Sequence, residues 1–280
     1  MKWNNWINCT CWLLGCLFAS SSVAAEQKPF ECLMEPMRII EVGSPVQGVI
    51  KQLLVDRSDF VTRGQAIIEL EAEAENINLA AANARASMQS EVSAREADLV
   101  LAKLNLARMQ KLQEQNLVPT QKWDEARAQQ QVAAAALVQA LENLKIAQID
   151  AQRALHSLAQ KTIRSPIDGV VVAQQAFAGE FVYDNPLMTL AQLDPLRIEV
   201  VLPARLFGSF KPGDTALIRP EIDHAEPLQA TIQVVDRLLD TRSGTFGVRL
   251  TLPNPQLSIP GGQKCQLEFQ SDVVLVTSEQ

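Results

Sequence analysis

The sequence predicts an elongated α+β chain: a strand-rich sandwich, split by a long antiparallel coiled-coil hairpin and followed by a small antiparallel β-barrel. Three observations predict it. A heptapeptide recurs at a spacing of about 121 residues, as Ser44-Pro45-Val46-Gln47-Gly48-Val49-Ile50 and Ser165-Pro166-Ile167-Asp168-Gly169-Val170-Val171. Between the copies, from about residue 72 to 160, lies a stretch crowded with alanine and glutamine. Short apolar runs separated by Gly and Pro follow the second copy. Aromatic residues make up only 5% of the chain, so the middle stretch cannot fill a thick core and suits thin helices instead.

The chain opens with an export signal over residues 1–25. Lys2 supplies the positive start, Trp6 to Phe18 the apolar run, and Val23-Ala24-Ala25 the small residues of a cleavage site. Leu13-Leu14-Gly15-Cys16 offers a rival cleavage that would leave Cys16 lipidated, and an uncleaved anchor is the third reading. No later run holds the ~18 consecutive apolar residues of a membrane span. The expected mature product is therefore exported, and soluble or lipid-tethered. Its formal charge of −7 becomes one unit more negative when Lys2 leaves, and no basic face is clustered, which argues against nucleic acid. Of five cysteines, Cys9, Cys11 and Cys16 lie in the leader, leaving Cys32 and Cys265. Residues 26–41 read as an extended lead-in.

Residues 42–71 and 161–192 are the two halves of the sandwich. Beyond the heptapeptide, Phe60-Val61 falls on Phe181-Val182 without a gap, and Ile67-Ile68 matches Leu187-Met188 with a one-residue slip. Each half alternates apolar and polar residues between Pro and Gly, the pattern of short half-buried strands. Gly48 and Gly169 are expected at positive φ in tight turns.

The hairpin occupies residues 72–160. In its second arm, Trp123, Ala126, Gln130, Ala133, Leu137, Ala140, Leu144, Ala147, Ala151, Ala154 and Leu158 keep unbroken 3-4 spacing. That is a coiled-coil seam, and its alanines let the partner helix approach closely. Val92, Leu99, Ala102, Leu106 and Met109 repeat the rhythm in the first arm, with Arg95 interrupting it. Neither arm contains Pro or Gly, and about 40 residues at 1.5 Å each reach about 60 Å. Pro119 suits the opening of the second helix.

Residues 193–270 carry five strand-like runs: Leu196–Leu202, Thr215–Ile218, Gln229–Val235, Thr245–Leu252 and Lys264–Phe269. Lys211-Pro212-Gly213, Ser243-Gly244, Pro253-Asn254-Pro255 and Pro260-Gly261-Gly262 separate them, as in a small barrel. A polar tail, 271–280, ends the chain.

In this order the sequence resembles the periplasmic adaptor, or HlyD-like membrane fusion, proteins of tripartite efflux pumps. The residues that carry the resemblance are Ser44 to Val49, Val61, Gly64-Gln65, Arg164 to Val170, Asp236, Asp240 to Arg249 and Pro260 to Gln263. It implies a lipoyl-like barrel-sandwich hybrid and a ring of adaptors, commonly a hexamer. It also implies an inner-membrane transporter as one partner, with barrel strings that look RND-like, and a TolC-like outer-membrane channel as the other. Adaptors of ABC or major-facilitator exporters are the alternative. In channel-docking members the hairpin tip carries an Arg, a Leu four residues on and a Ser eleven residues after the Arg. Arg108 and Leu112 match; Pro119 stands at the Ser position, with Thr120 beside it. Nothing after Phe269 is long enough for a membrane-proximal domain, so the resemblance is to a short form. The family's layout places both ends of the mature chain at one end of the molecule, so Cys32 and Cys265 are expected either as a disulfide, favoured by an oxidising compartment, or as two separately buried thiols.

No enzyme is expected, and no cofactor. His156 and His224 lie outside any metal-ligand spacing, and no phosphate loop, nucleophile elbow or zinc motif occurs. Asp236 and Asp240 read as residues flanking barrel strands. A lipoyl or biotin carrier would need an exposed Lys at the turn that the hairpin replaces. Cys32, Met34 and Met37 are soft ligands suited to Cu(I), which sets a soft-metal adaptor beside the simpler reading of Met in apolar contacts.

Overall fold

The structure is a computed structural model describing residues 29–222 and 226–269. The signal peptide, Cys16, His224 and the polar tail lie outside the described residues. The first half contributes β1 (Phe30–Val42), β2 (Gly48–Leu53), β3 (Phe60–Val61) and β4 (Ala66–Leu70). The hairpin follows as α1 (Glu73–Ala86), α2 (Ser90–Glu114) and α3 (Thr120–Ala159). Then come β5 (Thr162–Arg164), β6 (Gly169–Gln174), β7 (Phe181–Val182), β8 (Met188–Pro203), β9 (Thr215–Pro220), β10 (Leu228–Val235), β11 (Thr245–Leu252) and β12 (Gln263–Phe269).

The repeated halves interlock. Strand β3 of the first pairs with β6 of the second, Phe60 against Val170, while β2 pairs with β7, Val49 against Phe181. The same exchange recurs outside the ladders: Val171 N–H donates to the Asp59 carbonyl at 3.0 Å and Ile50 N–H to the Glu180 carbonyl at 2.8 Å. Ser44 and Ser165 fold the same local turn, each hydroxyl donating to the carbonyl two residues on, of Val46 and Ile167. Ile50, Val61, Ile67, Ile163, Val171 and Leu190 fill the core between the halves.

Gly48 and Gly169 do not have positive φ, contrary to the sequence expectation. Their constraint is space. A Cβ on Gly169 would collide with the Ala191 carbonyl, because β6 crosses β8 closely there; one on Gly48 would meet Lys161 Nζ at 3.3 Å and Leu70 Cδ1 at 3.4 Å.

The segment read as a lead-in is strand β1, and it closes the barrel. Strands run β1-β12-β9-β10-β11-β8, and β1 also pairs with β8, so the six form a ring. Ile198, Val200 and Leu202 point inward on β8 with Met34, Ile218, Ile232, Val248, Leu250 and Leu267 around them, while Glu199 and Val201 face out. Closure removes the open edges that five strands would leave.

Both β1 and β8 continue past the barrel into the sandwich, Val42 reaching Met188. This two-stranded ribbon has an irregular waist. Pro36 pairs with Leu196 and Arg38 with Gln192, so Leu193, Asp194 and Pro195 stand opposite Met37 alone.

All eleven expected seam positions of α3 are buried or half-buried, whereas the residues between them are mostly exposed. Small side chains at these positions let α3 pack on both α1 and α2. The first arm is two helices, broken at Ser87-Met88-Gln89, whereas at Arg95, where the seam rhythm is interrupted, the helix continues. Ser87 Oγ donates to the Ala84 carbonyl at 2.9 Å, and the Met88 amide to the Arg85 carbonyl three residues back. Serine here offers the backbone a competing partner and tightens the last turn of α1. Arg95 instead lies outside the seam near Asp98, at 3.5 Å. By length and composition α3 is apolar enough to cross a bilayer, which the count of consecutive apolar residues did not indicate. Its central apolar stretch mixes alanine with Val, Leu and Ile, and its seam is used against α1 and α2.

Candidate functional site

Three surfaces stand out along the molecule: the hairpin tip, the hairpin base and the far end of the barrel. At the tip, α2 ends in a Schellman motif. Leu117 N–H donates to the Leu112 carbonyl and Asn116 N–H to the Gln113 carbonyl, both at 2.9 Å, with Asn116 at φ 55°. Pro119, at φ −62° and ψ 146°, is the N-cap of α3, and Thr120 is its first residue. The expected tip residues therefore fall in the last two turns of α2 and the first of α3. Arg108 and Thr120 are exposed, and Leu112 is half-buried. Leu112 thus also belongs to the turn, through its carbonyl. The sequence reading missed Arg127, whose guanidinium lies 5.5 Å from the Trp123 ring centroid and braces the start of α3. A lone Trp in an alanine-rich helix is the signal that points there.

At the base, Lys161 anchors the hairpin to the sandwich. Its ammonium lies 3.1 Å from Glu75 Oε1 on the first turn of α1 and donates to the Gln47 carbonyl at 3.2 Å. Burial acts to raise the Glu75 pKa, but hydrogen bonds from Lys161 and the backbone, with the lysine charge, carry it below its ordinary value. The Leu70 amide donates to the Lys161 carbonyl and the Glu71 amide to that of Val49, so both feet of the hairpin are tied to β2 and β4. A groove of about 780 Å³ runs alongside, lined by Glu69, Glu71, Asn76 and Leu155 among others.

The far end of the barrel is closed by aromatic side chains: Phe210 stacks on Phe269 at 3.9 Å, and Phe30 meets Phe269 edge-on at 6.0 Å. Leu238 in the loop before β11 is 85% exposed and Ile222 72%. Asp236 pairs with Arg249 at 3.1 Å, and its carboxylate fills the space that a Cβ on Gly247 would take. Asp240 accepts the Arg242 amide at 2.9 Å. Each acid has a structural partner.

In β1, Cys32 lies opposite Cys265 of β12, with Cα atoms 4.9 Å apart and the sulfurs bonded. Met34 is fully buried in the barrel core beside them. A sulfur committed to a disulfide is not a thiolate ligand, so Cys32, Met34 and Met37 do not form the soft-metal set weighed from sequence. Among the described residues no group of three His, Cys, Asp or Glu is placed to hold a metal. His156 is exposed on the outer side of α3.

No protein-family model matches the chain. Individual relatives do. The chain is 26% identical over 236 residues to the cobalt-zinc-cadmium resistance protein CzcB of Cupriavidus metallidurans, covering 84% of this chain and 43% of the relative. It is 24% identical over 261 residues to the multidrug export protein AcrE of Escherichia coli, covering 86% and 64% respectively. The chain thus spans less than two thirds of these relatives' lengths. Among solved structures, MacA from Actinobacillus actinomycetemcomitans superimposes with a TM-score of 0.72 at 24% identity, covering 86% of this chain and 78% of MacA. That likeness establishes the shared fold.

Proposed function

We propose that the chain is a membrane fusion, or periplasmic adaptor, protein of a tripartite efflux system, linking an inner-membrane transporter to an outer-membrane channel, a reading supported by its likeness to CzcB and AcrE. The barrel docks on the transporter, the lipoyl-like sandwich packs against ring neighbours, and the hairpin carries the connection across the periplasm. The single observation behind this division is the 40-residue helix α3, projecting from the sandwich with apolar residues such as Val132 (69% exposed) outside its seam. A helix apolar on more than one face is suited to partners on more than one side.

In this reading the signal over residues 1–25 exports the chain, the ring is a hexamer, and the channel is TolC-like, met by Arg108, Leu112 and Thr120. The barrel strings favour an RND transporter over an ABC or major-facilitator exporter, which would differ only in what the barrel meets. Photo-cross-linkers at Arg108 and at Leu238 test the arrangement in intact cells. Arg108 is expected to capture an outer-membrane channel and Leu238 an inner-membrane transporter. Cross-links from Arg108 running only to the transporter would overturn the orientation.

A further inference from the structure

The barrel and the sandwich are joined by the β1/β8 ribbon, and two strands alone twist readily about their long axis. The ribbon is also irregular where it leaves the barrel, at Leu193-Asp194-Pro195 opposite Met37. A third connection crosses that waist. Asn254, in the loop between β11 and β12, is 1% exposed, and its side chain is fully engaged. Its Nδ2 donates to the Leu193 carbonyl at 3.1 Å and to the Ile259 carbonyl at 2.9 Å, while its Oδ1 accepts the Ile259 amide at 3.2 Å. Its own amide donates to Asp194 Oδ1 at 2.8 Å.

Neighbouring packing has the same direction. A Cβ on Gly261 would meet Leu193 Cδ2 and Pro36 Cδ, both at 3.2 Å, so the loop backbone is pressed onto both ribbon strands. A cleft of about 430 Å³ opens beside this contact, lined by Phe60, Gly169 and Gln192 on the sandwich side and Gln256 and Leu257 on the loop.

We propose that Asn254 is a positioning residue: with Asp194 it clasps the barrel loop to the waist of the ribbon and sets the angle between barrel and sandwich. A buried amide with every hydrogen-bonding group matched is directional, unlike apolar packing, and selects one angle from those the ribbon allows. The inference deepens the adaptor reading, since that angle would fix how the hairpin is aimed once the barrel is docked, but it rests on geometry that the isolated protein retains.

The test uses the full mature chain, with spin labels at exposed Arg153 on the hairpin and Lys211 on the barrel, and a control pair within the barrel at Lys211 and Arg242. Asn254→Ala is expected to broaden and shift the barrel-to-hairpin distance distribution and leave the control pair unchanged. The Ile259 amide, having lost its acceptor, is expected to exchange about tenfold faster. An unchanged barrel-to-hairpin distribution would overturn the proposal. If Asn254→Ala also disturbs the control pair, Asp194→Ala decides, because it removes one of the two ribbon acceptors, that of the Asn254 amide, and leaves the Asn254 side chain in place: broadening supports the clasp and an unchanged distribution ends it. Asp194→Asn keeps an acceptor oxygen and is expected to restore the native distribution; failure to restore counts against the clasp. None of these outcomes depends on a transporter or channel, so loss of the efflux reading would leave them standing.

Discussion

Ser58 and Gly179 occupy the same place in the two halves of the sandwich, both with left-handed backbone, at φ 74° and 88°. Ser58 N–H donates to the Val171 carbonyl at 2.9 Å and Gly179 N–H to the Ile50 carbonyl at 2.8 Å, each reaching into the other half. Only one half has the residue suited to that conformation.

Ser58→Gly is therefore expected to stabilise the protein by about 1 kcal/mol, since left-handed backbone costs a residue with a Cβ about that much. Nothing lies within 4 Å of a Cβ built on Gly179, so Gly179→Ser should lose a similar amount through backbone strain alone. Denaturant melts of the two variants, run against the parent, check both signs.

The clamp at the hairpin base makes a pH prediction. The Glu75 pKa is lowered in the folded protein, so its contribution is present above the unfolded value near 4.5 and is lost as pH falls through the folded value. The pair is partly solvated, at 14% and 24% side-chain exposure, which limits its worth to about 1 kcal/mol or less. Glu75→Gln should lower stability by that amount at pH 7 and match the parent once Glu75 is protonated in both states. A difference that persists unchanged at pH 2 would show that the ion pair is not its source.

Leu144→Pro removes a seam side chain and a backbone donor in the interior of α3. The expected cost is about 3 kcal/mol or more, with loss of helical circular dichroism and new protease cleavage in the hairpin. Efflux at the parental level from a normally expressed variant would argue against a hairpin that transmits load.

At the tip, Asn116 holds the left-handed position of the Schellman motif. Asn116→Gly should be neutral or slightly stabilising, while Asn116→Val should fray the end of α2 at a cost of about 1 kcal/mol or more. Hydrogen exchange at the Leu117 amide reads the difference directly.

The Cys32–Cys265 pair closes a loop over a sequence separation of 233 residues. In the chain-entropy model such a loop is worth about 5 kcal/mol, with measured gains often smaller. Non-reducing peptide mapping of the exported protein should recover the joined peptides, and reductant should lower the melting temperature. Two thiols that alkylate without reductant would refute the bridge.

What was legible in the sequence is what local pattern determines. The seam of α3 could be read because 3-4 spacing is set within one helix, and Ala140 and Ala151 are buried on it. The strands of the barrel from Leu196 onward alternate visibly between Gly and Pro. Strand β1 was not legible as a strand, because Pro36 and Arg38 interrupt it at the waist, where it passes from one body to the other. The break at Ser87 carries no Pro or Gly to mark it. Asn254, between two prolines, has the composition of an ordinary turn; its burial comes from contact with Leu193 and Asp194, about 60 residues earlier in the chain. Arg108 and Leu112 were found by resemblance alone, and neither burial nor hydrogen bonding would have singled out Arg108.

The closing of the barrel by its first strand also sets the order in which the protein must be completed. During synthesis β1 emerges first, yet the residues that pair with Phe30 to Met34 lie in β12, at Gln263 to Leu267. Until those residues arrive, the nascent chain carries an unpaired edge on β1, with Cys32 still lacking its partner. Ladders of such sequence separation form slowly, since the intervening chain must be ordered before they do. A chain cut short before Gln263 would leave β1 and β9 both open, so the barrel is gated by the arrival of β12.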